Sequence, residues 1–504
     1  MDKRDGELKD GELLAAVDIG SNSFHMVVAR HSRGQLRVVD RIREPVRMAA
    51  GLDARGGLSA EARQRATDCL ARFGQRIASL PPERVRAIAT NTVRKLRNPQ
   101  AFLVPGETAL GHGIEVVSGR EEARLIYLGV AQGHPPGNRK RLVIDIGGGS
   151  TEFIIGQGYE PLKRESLQVG CVATTRRFFA DGRITRARWE QALTEIGAEF
   201  QQFAQSYSEI GWDQAMGSSG TIKAIAQMAA GRKGSHAPIT REILDRIVQR
   251  LVDIGRVEKI KIPGLVSERQ PIIAGGVLVL DAAFRALGLS RMEAARTAMR
   301  EGVLYDMLGR ARHNDPRDSS VDALADHYGA DRTQWRRVEQ TALMLFDQVA
   351  VPWQLGIEDR QRLAWASRLL EIGLSIAHSQ HHQHGAYLIE HSDIAGFSKQ
   401  EQAYLAVLVR CQRRSLPLSL LEAQPQRIRT SQQRLIALLR IAALLHRSHE
   451  ALPLPPVSLT VEEHRLRLGF QNGYLDAHPL TRHDLETEAD YLAAIGFRLE
   501  VVAA

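Results

Sequence analysis

The sequence predicts an α/β protein in which two similar domains face each other across a cleft, followed by an all-helical domain and a small α+β cap. Three observations carry this. One pattern, an apolar strand, Asp-Ile-Gly, small polar residues and a second apolar strand, occurs twice, at Ala16–Phe24 and at Val143–Phe153. Strand and helix patterns alternate as far as Ala311, after which the periods are helical. From Val457 to Leu468 apolar and polar residues alternate again, as in a strand.

In the second copy, Leu142-Val143-Ile144 reads as a buried strand, Gly147-Gly148-Gly149 as a turn opening to positive φ, and Phe153-Ile154-Ile155 as the return strand. Glycines bring backbone N–H groups close to a phosphate, and Asp145 and Glu152 could hold a hydrated Mg²⁺ against it. Alone, the stretch also fits a tight hairpin with incidental acids. The first copy repeats the plan, with Asp18 before the turn Gly20-Ser21-Asn22-Ser23 and a strand from Phe24 to Ala29. Two copies of one phosphate hairpin imply two domains sharing one site.

Taken in order, Gln35–Arg41 reads as a strand, and Ser59–Leu80 as an amphipathic helix capped by Ser59. Val85–Thr90 is a short buried strand leading to Asn91-Thr92-Val93-Arg94-Lys95, which suits either a phosphate contact or a solvated helix start. Ile114–Val117 is a strand, and a helix runs from Ser118 to Ala131. Ser118 and Glu121 have capping-box spacing, which gives Glu121 a structural task. Glu122 shares a face with Leu125, Ile126 and Gly129, where apolar surroundings should raise its pKa as a general base requires. The Gly-, Pro- and basic-rich stretch Gly133–Arg141 marks a boundary.

Arg164–Val169 then reads as a strand and Thr185–Ser206 as a long helix. Gly217-Ser218-Ser219-Gly220-Thr221 leads from a strand into a helix, a third anion-binding turn with Lys223 one turn in. Helical patterns cover 240–254, 270–287 and 299–305, then 321–328, 333–349, 358–378, 399–410 and 432–446. His378–Tyr387, with His391 and Asp393 beyond, fits a polar interhelical loop better than a metal site, since no acid–His ligand spacing is complete. Pro453, Pro455 and Pro456 open the C-terminal cap. The expected domains are 12–134, 135–310, 311–450 and 451–504.

The 504 residues carry a net charge of +9 and a pI near 9.6, which favours a polyanionic ligand. Cys69, Cys171 and Cys411 are isolated, so neither a disulfide framework nor a zinc site is indicated, and reduced thiols in a cytoplasm are expected. No apolar run reaches the ~18 residues of a membrane span, and Met1–Glu12 lacks a signal peptide's apolar region. Peripheral membrane association stays compatible with the sequence.

Together, Ala16–Val27, Ser118–Ile126, Val143–Phe153, Gly217–Lys223 and Arg300–Tyr305 resemble the exopolyphosphatase/guanosine pentaphosphatase (Ppx/GppA) phosphatase family, most of all its bacterial exopolyphosphatases. The resemblance implies two actin-like (ribonuclease H-like) domains, an HD-like helical domain and a homodimer. It implies hydrolysis of terminal phosphate from inorganic polyphosphate, of the 5′ γ-phosphate of guanosine pentaphosphate, or both. It places the catalytic glutamate at Glu122. Mg²⁺ is the expected cofactor, held by Asp145 and Glu152 with Asp18, with room for a monovalent cation such as K⁺. Backbone amides of Gly20–Ser23, Gly147–Ser150 and Gly217–Thr221 are expected to bind phosphate, with Arg94 and Lys223 neutralising its neighbours, and no nucleic acid partner is expected. Two departures stand out. Leu370-Glu371 occupies the place of the His-Asp metal pair, so second-site chemistry is not expected there; dimerisation and a basic groove are. Ala295-Arg296-Thr297 replaces an expected Ser-Asp-Gly. The rival readings are a kinase or ATPase of the same fold and a non-catalytic sensor of polyphosphate or a nucleotide.

Overall fold

Leu13–Ile19 (β1) pairs antiparallel with Phe24–Ser32 (β2), and β2 with Gln35–Glu44 (β3). Val85–Ala89 (β4) and Ile114–Val116 (β5) add in parallel on the other side, giving the order β3-β2-β1-β4-β5. The second copy builds the same sheet. Lys140–Ile146 (β6), Thr151–Gln157 (β7) and Glu160–Leu167 (β8) are antiparallel. Gln214–Ser218 (β9), Ile239–Thr240 (β10) and Arg291–Ala294 (β11) complete the order β8-β7-β6-β9-β11-β10. The hairpins also match in register: Asp18 faces His25 and Ile19 faces Phe24, as Asp145 faces Glu152 and Ile146 faces Thr151. This is a computed structural model, and it describes residues 8–32, 35–134, 137–311, 315–422, 424, 426–449, 454–471 and 473–503. It forms two compact units, Met1–Asp315 and Pro316–Ala504, and both sheets belong to the first.

Between the sheets lie two helices, Gly119–Gln132 and Met299–Ala311. Leu14, Ala16, Val27, Ala29 and Ile88 of the first sheet and Val143, Ile154 and Met216 of the second share one buried cluster with them. Side chains alternate along a strand, so Asp18 continues the Leu14–Ala16 row, Asp145 the row of Val143 and Glu152 that of Ile154. All three carboxylates therefore lie on the faces that cover the helix pair. The helices meet without side chains: a Cβ on Gly129 would sit 1.9 Å from the Ala298 carbonyl oxygen, and one on Gly302 1.8 Å from that of Leu125. On the outer faces, Ala60–Ile77 and Gln100–Leu110 cover the first sheet, and Arg186–Ile210, Ser219–Ala230, Arg241–Ile254 and Gln270–Ala286 pack in the core of the second. Ser59, Ser118 and Thr185 cap their helices, as Ser59 and Ser118 are expected to.

The second unit packs helices Arg332–Val349, Ile357–Arg368, Lys399–Arg410 and Gln426–Leu445 around one apolar core shared with a three-stranded sheet. That sheet comprises Val457–Glu462 (β12), Arg465–Phe470 (β13) and Arg498–Ala503 (β14). The helix expected over 358–378 stops at Arg368 and gives way to a 3₁₀ turn, Ile372–Ser375, whose Gly373 lies 2.0 Å, at its would-be Cβ, from the His381 carbonyl oxygen. The histidine-rich stretch expected as a loop is mostly helix, His381–His391. Leu370 is buried in the core, and no group of three or more His, Cys, Asp or Glu that could hold a metal occurs among the described residues. No helix among them is long and apolar enough to cross a membrane. The start of the chain over residues 1–7, the cap entry at Pro453 and the expected boundary residues 135–136, 312–314 and 450–453 lie outside the described residues.

One buried ionic node ties the first unit together. Asp306 accepts from Arg124 Nη2 at 2.6 Å, Arg86 Nη1 at 2.5 Å and Arg310 Nε at 2.9 Å. Burial alone would raise its carboxyl, but Arg124, Arg310 and Arg86 overcome this and hold it far below the ordinary carboxylate range. A depressed carboxyl stabilises the fold above its unfolded pKa of about 4, and the contribution is lost only as pH falls through the folded value. Asp306→Asn should therefore cost about 3 kcal/mol or more at pH 7. In urea titrations between pH 3 and 8 the gap from wild type should stay constant down to about pH 4 and narrow below it.

Candidate active site

The two hairpin turns approach each other closely. In each, the first glycine tucks under the fourth residue: a Cβ on Gly20 would lie 3.0 Å from the Ser23 carbonyl oxygen, and one on Gly147 3.1 Å from that of Ser150. Gly147 N donates to Ser150 O at 2.9 Å. A Cβ on Gly148 would come 3.1 Å from Ser21 Cβ, and one on Gly149 2.5 Å from Asn91 Oδ1. None of the three glycines adopts the positive φ expected of them; they are needed because neighbours press on them. The third turn differs, since Ser219 takes φ +84° where β9 enters its helix, and Ser219 Oγ accepts from Thr221 N at 3.2 Å. Strain of this kind at a non-glycine residue gathers at ligand sites.

These turns open on a cavity of about 520 Å³ lined by Asp18, Gly20–Ser23, Asp145, Gly147, Gly148, Ser150, Ser219, Gly220, Lys223 and Glu122. Glu122 reaches it from the first turn of the Gly119–Gln132 helix. Its helix face is apolar, as the spacing indicated, but its carboxylate is not in apolar surroundings, because Arg94 Nη1 donates to Oε2 at 2.9 Å and to Val117 O at 2.8 Å. Arg94 does not line the cavity, and its Nη2 is buried without a hydrogen-bond partner. Glu121 turns away, taking both forks of Arg124 at 2.8 Å while its amide donates to Ser118 Oγ. Glu152 also lies behind the cavity wall, 1% exposed, accepting from Ser166 Oγ at 2.9 Å.

The carboxylates crowd one another. Burial pushes Asp18 up to about 7, with Arg300 pulling it down and Glu122 and Asp145 pushing further. Burial likewise takes Asp145 up to about 6, opposed by Ser218 and reinforced by Glu122. Glu152 is raised well above the usual range by burial, Glu122 and Asp145. The opposite side of the cavity is basic. Lys223 donates to Arg296 O at 3.2 Å and is pushed down by burial and Arg300. Arg269 lies against Gly220, and Arg300 contacts His25 Nδ1 while its Nε is buried unpartnered. Arg41 and Arg43 join the lining, paired with Glu301 at 3.0 Å and Glu268 at 3.3 Å. His25, Arg41, Arg43, Arg269 and Arg300 belong to the site without being among the residues that the motifs assign to it. His25 could have been found by aligning the two hairpins, where it takes the place of Glu152, and Arg300 opens one of the stretches that carry the family resemblance; Arg269 comes from a helix start without a local signal.

Two lobes of one topology, paired glycine turns and a cavity with an acidic and a basic side suit an enzyme that handles phosphoryl groups. The chain belongs to the Ppx/GppA phosphatase family. The family's model matches residues 27–311, and that for Ppx/GppA phosphatase domain III matches residues 317–489. The guanosine-5′-triphosphate,3′-diphosphate pyrophosphatase of Aeromonas hydrophila is 35% identical over 498 residues, covering 99% of this chain and all of that one. That of Vibrio vulnificus is 36% identical over 491 residues, 97% and 98% of the two chains. An exopolyphosphatase crystal structure from Cytophaga hutchinsonii superposes with a TM-score of 0.55 at 23% identity, over 59% of this chain and 98% of that one. A family member from Aquifex aeolicus gives 0.51 at 23% identity, over 60% and 99%. The two structures share the fold.

The packing under the turn is testable. A Cβ on Gly170 would lie 2.5 Å from the backbone of Gly148, so Gly170→Ala must displace the Gly147–Ser150 turn. Displacement on the order of 1 Å should lower phosphatase kcat/KM about 100-fold. Gly137→Ala, which meets nothing within 4 Å, should leave it unchanged in the same phosphate-release assay.

Proposed function

We propose that the protein removes the terminal phosphoryl group of guanosine pentaphosphate, of inorganic polyphosphate, or of both, by in-line attack of water with Glu122 as general base. The observation that carries this is the position of Glu122, on the wall of the cavity shared by the two phosphate turns and ion-paired to Arg94. In this reading Arg94 aims the carboxylate at the water. Amides of the Gly20–Ser23 and Gly147–Ser150 turns other than that of Gly147, which is taken by Ser150 O, and of Ser219 and Gly220 take up the charge that spreads over the phosphoryl oxygens; Gly217 and Ser218 lie in β9 and the Thr221 amide is taken by Ser219 Oγ. Lys223, Arg269 and Arg300 hold the phosphates that remain. The curated relatives' names support guanosine pentaphosphate, and the excess of positive charge suits either substrate. A covalent nucleophile is not part of the scheme: Cys171 is buried and burial pushes its thiol up.

Mg²⁺ fits the donor set. It keeps several waters and needs one or two carboxylates plus substrate phosphate, and Asp18 and Asp145 line the cavity beside the turns. Glu152, behind the wall, supports Asp145 across the β6–β7 pairing rather than facing the cavity. Bound there, the ion would offset the crowding of carboxylates and the charge of the phosphoryl group. The helical unit contributes no second hydrolytic centre, in line with the buried Leu370, and the enzyme acts as a homodimer, for which sedimentation at twice the chain mass is the expected result.

The deciding assay is Mg²⁺-dependent phosphate release from long polyphosphate and from guanosine pentaphosphate, side by side. Glu122→Gln should lower kcat by about 10²- to 10⁴-fold with KM little changed, the range of a general base. Near-wild-type turnover by the variant would remove Glu122 from this role. Turnover of ATP with neither phosphate substrate hydrolysed would replace the reading with an ATPase.

A further inference from the structure

The node at Asp306 does more than bind two helices. Its three arginines and their acids sit on the elements that deliver Glu122 itself, Arg94 and Arg300. Arg86 lies on β4, whose C-terminal end runs directly into Thr90, Asn91 and Arg94. Arg124 lies on the Gly119–Gln132 helix, on the turn that carries Glu122, and is gripped on its other edge by Glu121. Asp306 itself lies on the Met299–Ala311 helix, whose first turn carries Arg300 into the cavity. Arg86 is forked in turn onto Glu115 of β5, with Nε and Nη2 at 3.0 and 2.9 Å from Oε2.

The energetics of such a node favour geometry over stability. Replacing a buried ionic cluster by apolar groups of similar volume is often neutral or stabilising, so tighter folding does not account for the node. A guanidinium, by contrast, bonds carboxylates through a planar fork with fixed directions. The bare crossing at Gly129 and Gly302 sets how close the two helices come, but two smooth backbones in contact can still slide and turn. One N–H from each guanidinium reaches Asp306, and the forks of Arg124 onto Glu121 and of Arg86 onto Glu115 fix the direction of those N–H groups, so the node fixes the axial register of the Glu122 helix against the Arg300 helix and against the strand that leads to Arg94.

We propose that Asp306, acting through Arg124 and Arg86, is a positioning residue that sets the alignment of Glu122 with Arg94 and Arg300. This rests on the reading of Glu122 as the base. Its test uses the full chain and two variants. In the first, Arg86→Met, Glu121→Gln, Arg124→Met and Asp306→Leu are combined, which removes the buried charges together. The second, Arg124→Lys, keeps the charge and loses the fork. Both should melt within a few degrees of wild type. For phosphate release from the substrate that wild type turns over, kcat should fall at least 10-fold in the combined variant and about 5-fold in Arg124→Lys, with KM within threefold of wild type in each. A folded combined variant with wild-type kcat would overturn the inference. Should the combined variant not fold, Arg124→Lys decides: wild-type kcat, or kcat and KM worsening together with the melting temperature, overturns it. The underlying reading fails separately, since it falls if Glu122→Gln keeps its turnover. If Glu122→Gln is inactive while Arg124→Lys and the combined variant are normal, the positioning role alone is lost.

Discussion

Backbone-to-backbone contact between the Gly119–Gln132 and Met299–Ala311 helices is the constraint on which the first unit depends. At Gly129 and Gly302 there is no space for a single carbon beyond the main chain. Only at this separation can the helix pair form one thin layer that both sheets cover, so that the inner rows of β1, β2, β6 and β7 converge on the same volume. The acids at the ends of those rows are brought together for the same reason. The cavity is thus a by-product of layer packing: where the apolar rows end, the strand ends diverge into turns and the space between them is left for a ligand.

Charge in that space is distributed unevenly. Burial and the neighbouring acids, Glu122 among them, raise Asp18, Asp145 and the buried Glu152, while Lys223, Arg269 and Arg300 gather on the other side with few acidic partners. Each set is costly to bury on its own. An anion with a bound cation lying across the cavity would satisfy both at once, as the proposed Mg²⁺ and phosphate would.

Much of this was legible in the sequence because it depends on local pattern. The duplicated hairpin, the Ser59 and Ser118 caps and the switch from mixed to helical periods all follow from short-range rules, and the separation of Glu121 from Glu122 followed from helical spacing. What was hidden depended on tertiary approach. The pattern at 147–149 suggests conformational freedom, yet at Gly148 and Gly149 it is Ser21 and Asn91, distant in sequence, that make glycine necessary. Glu122 was read from its apolar helix face, whereas its partner Arg94 arrives from another element. The break after Arg368 and the helix His381–His391 were missed because their boundary is set by the close approach of Gly373 to His381, which no period in the chain records.

At the rung where each hairpin carries its aspartate, the two copies differ in chemistry: the partner across the pair is His25 in the first and Glu152 in the second. A cleft formed by two identical halves would look the same to a ligand entering in either orientation, and the ends of that ligand would be energetically interchangeable. An unlike rung beside the turns abolishes this equivalence. It adds to the polarity that the Ser219 turn already gives a scaffold built twice on one plan, so that the two ends of a bound anion would meet different chemistry.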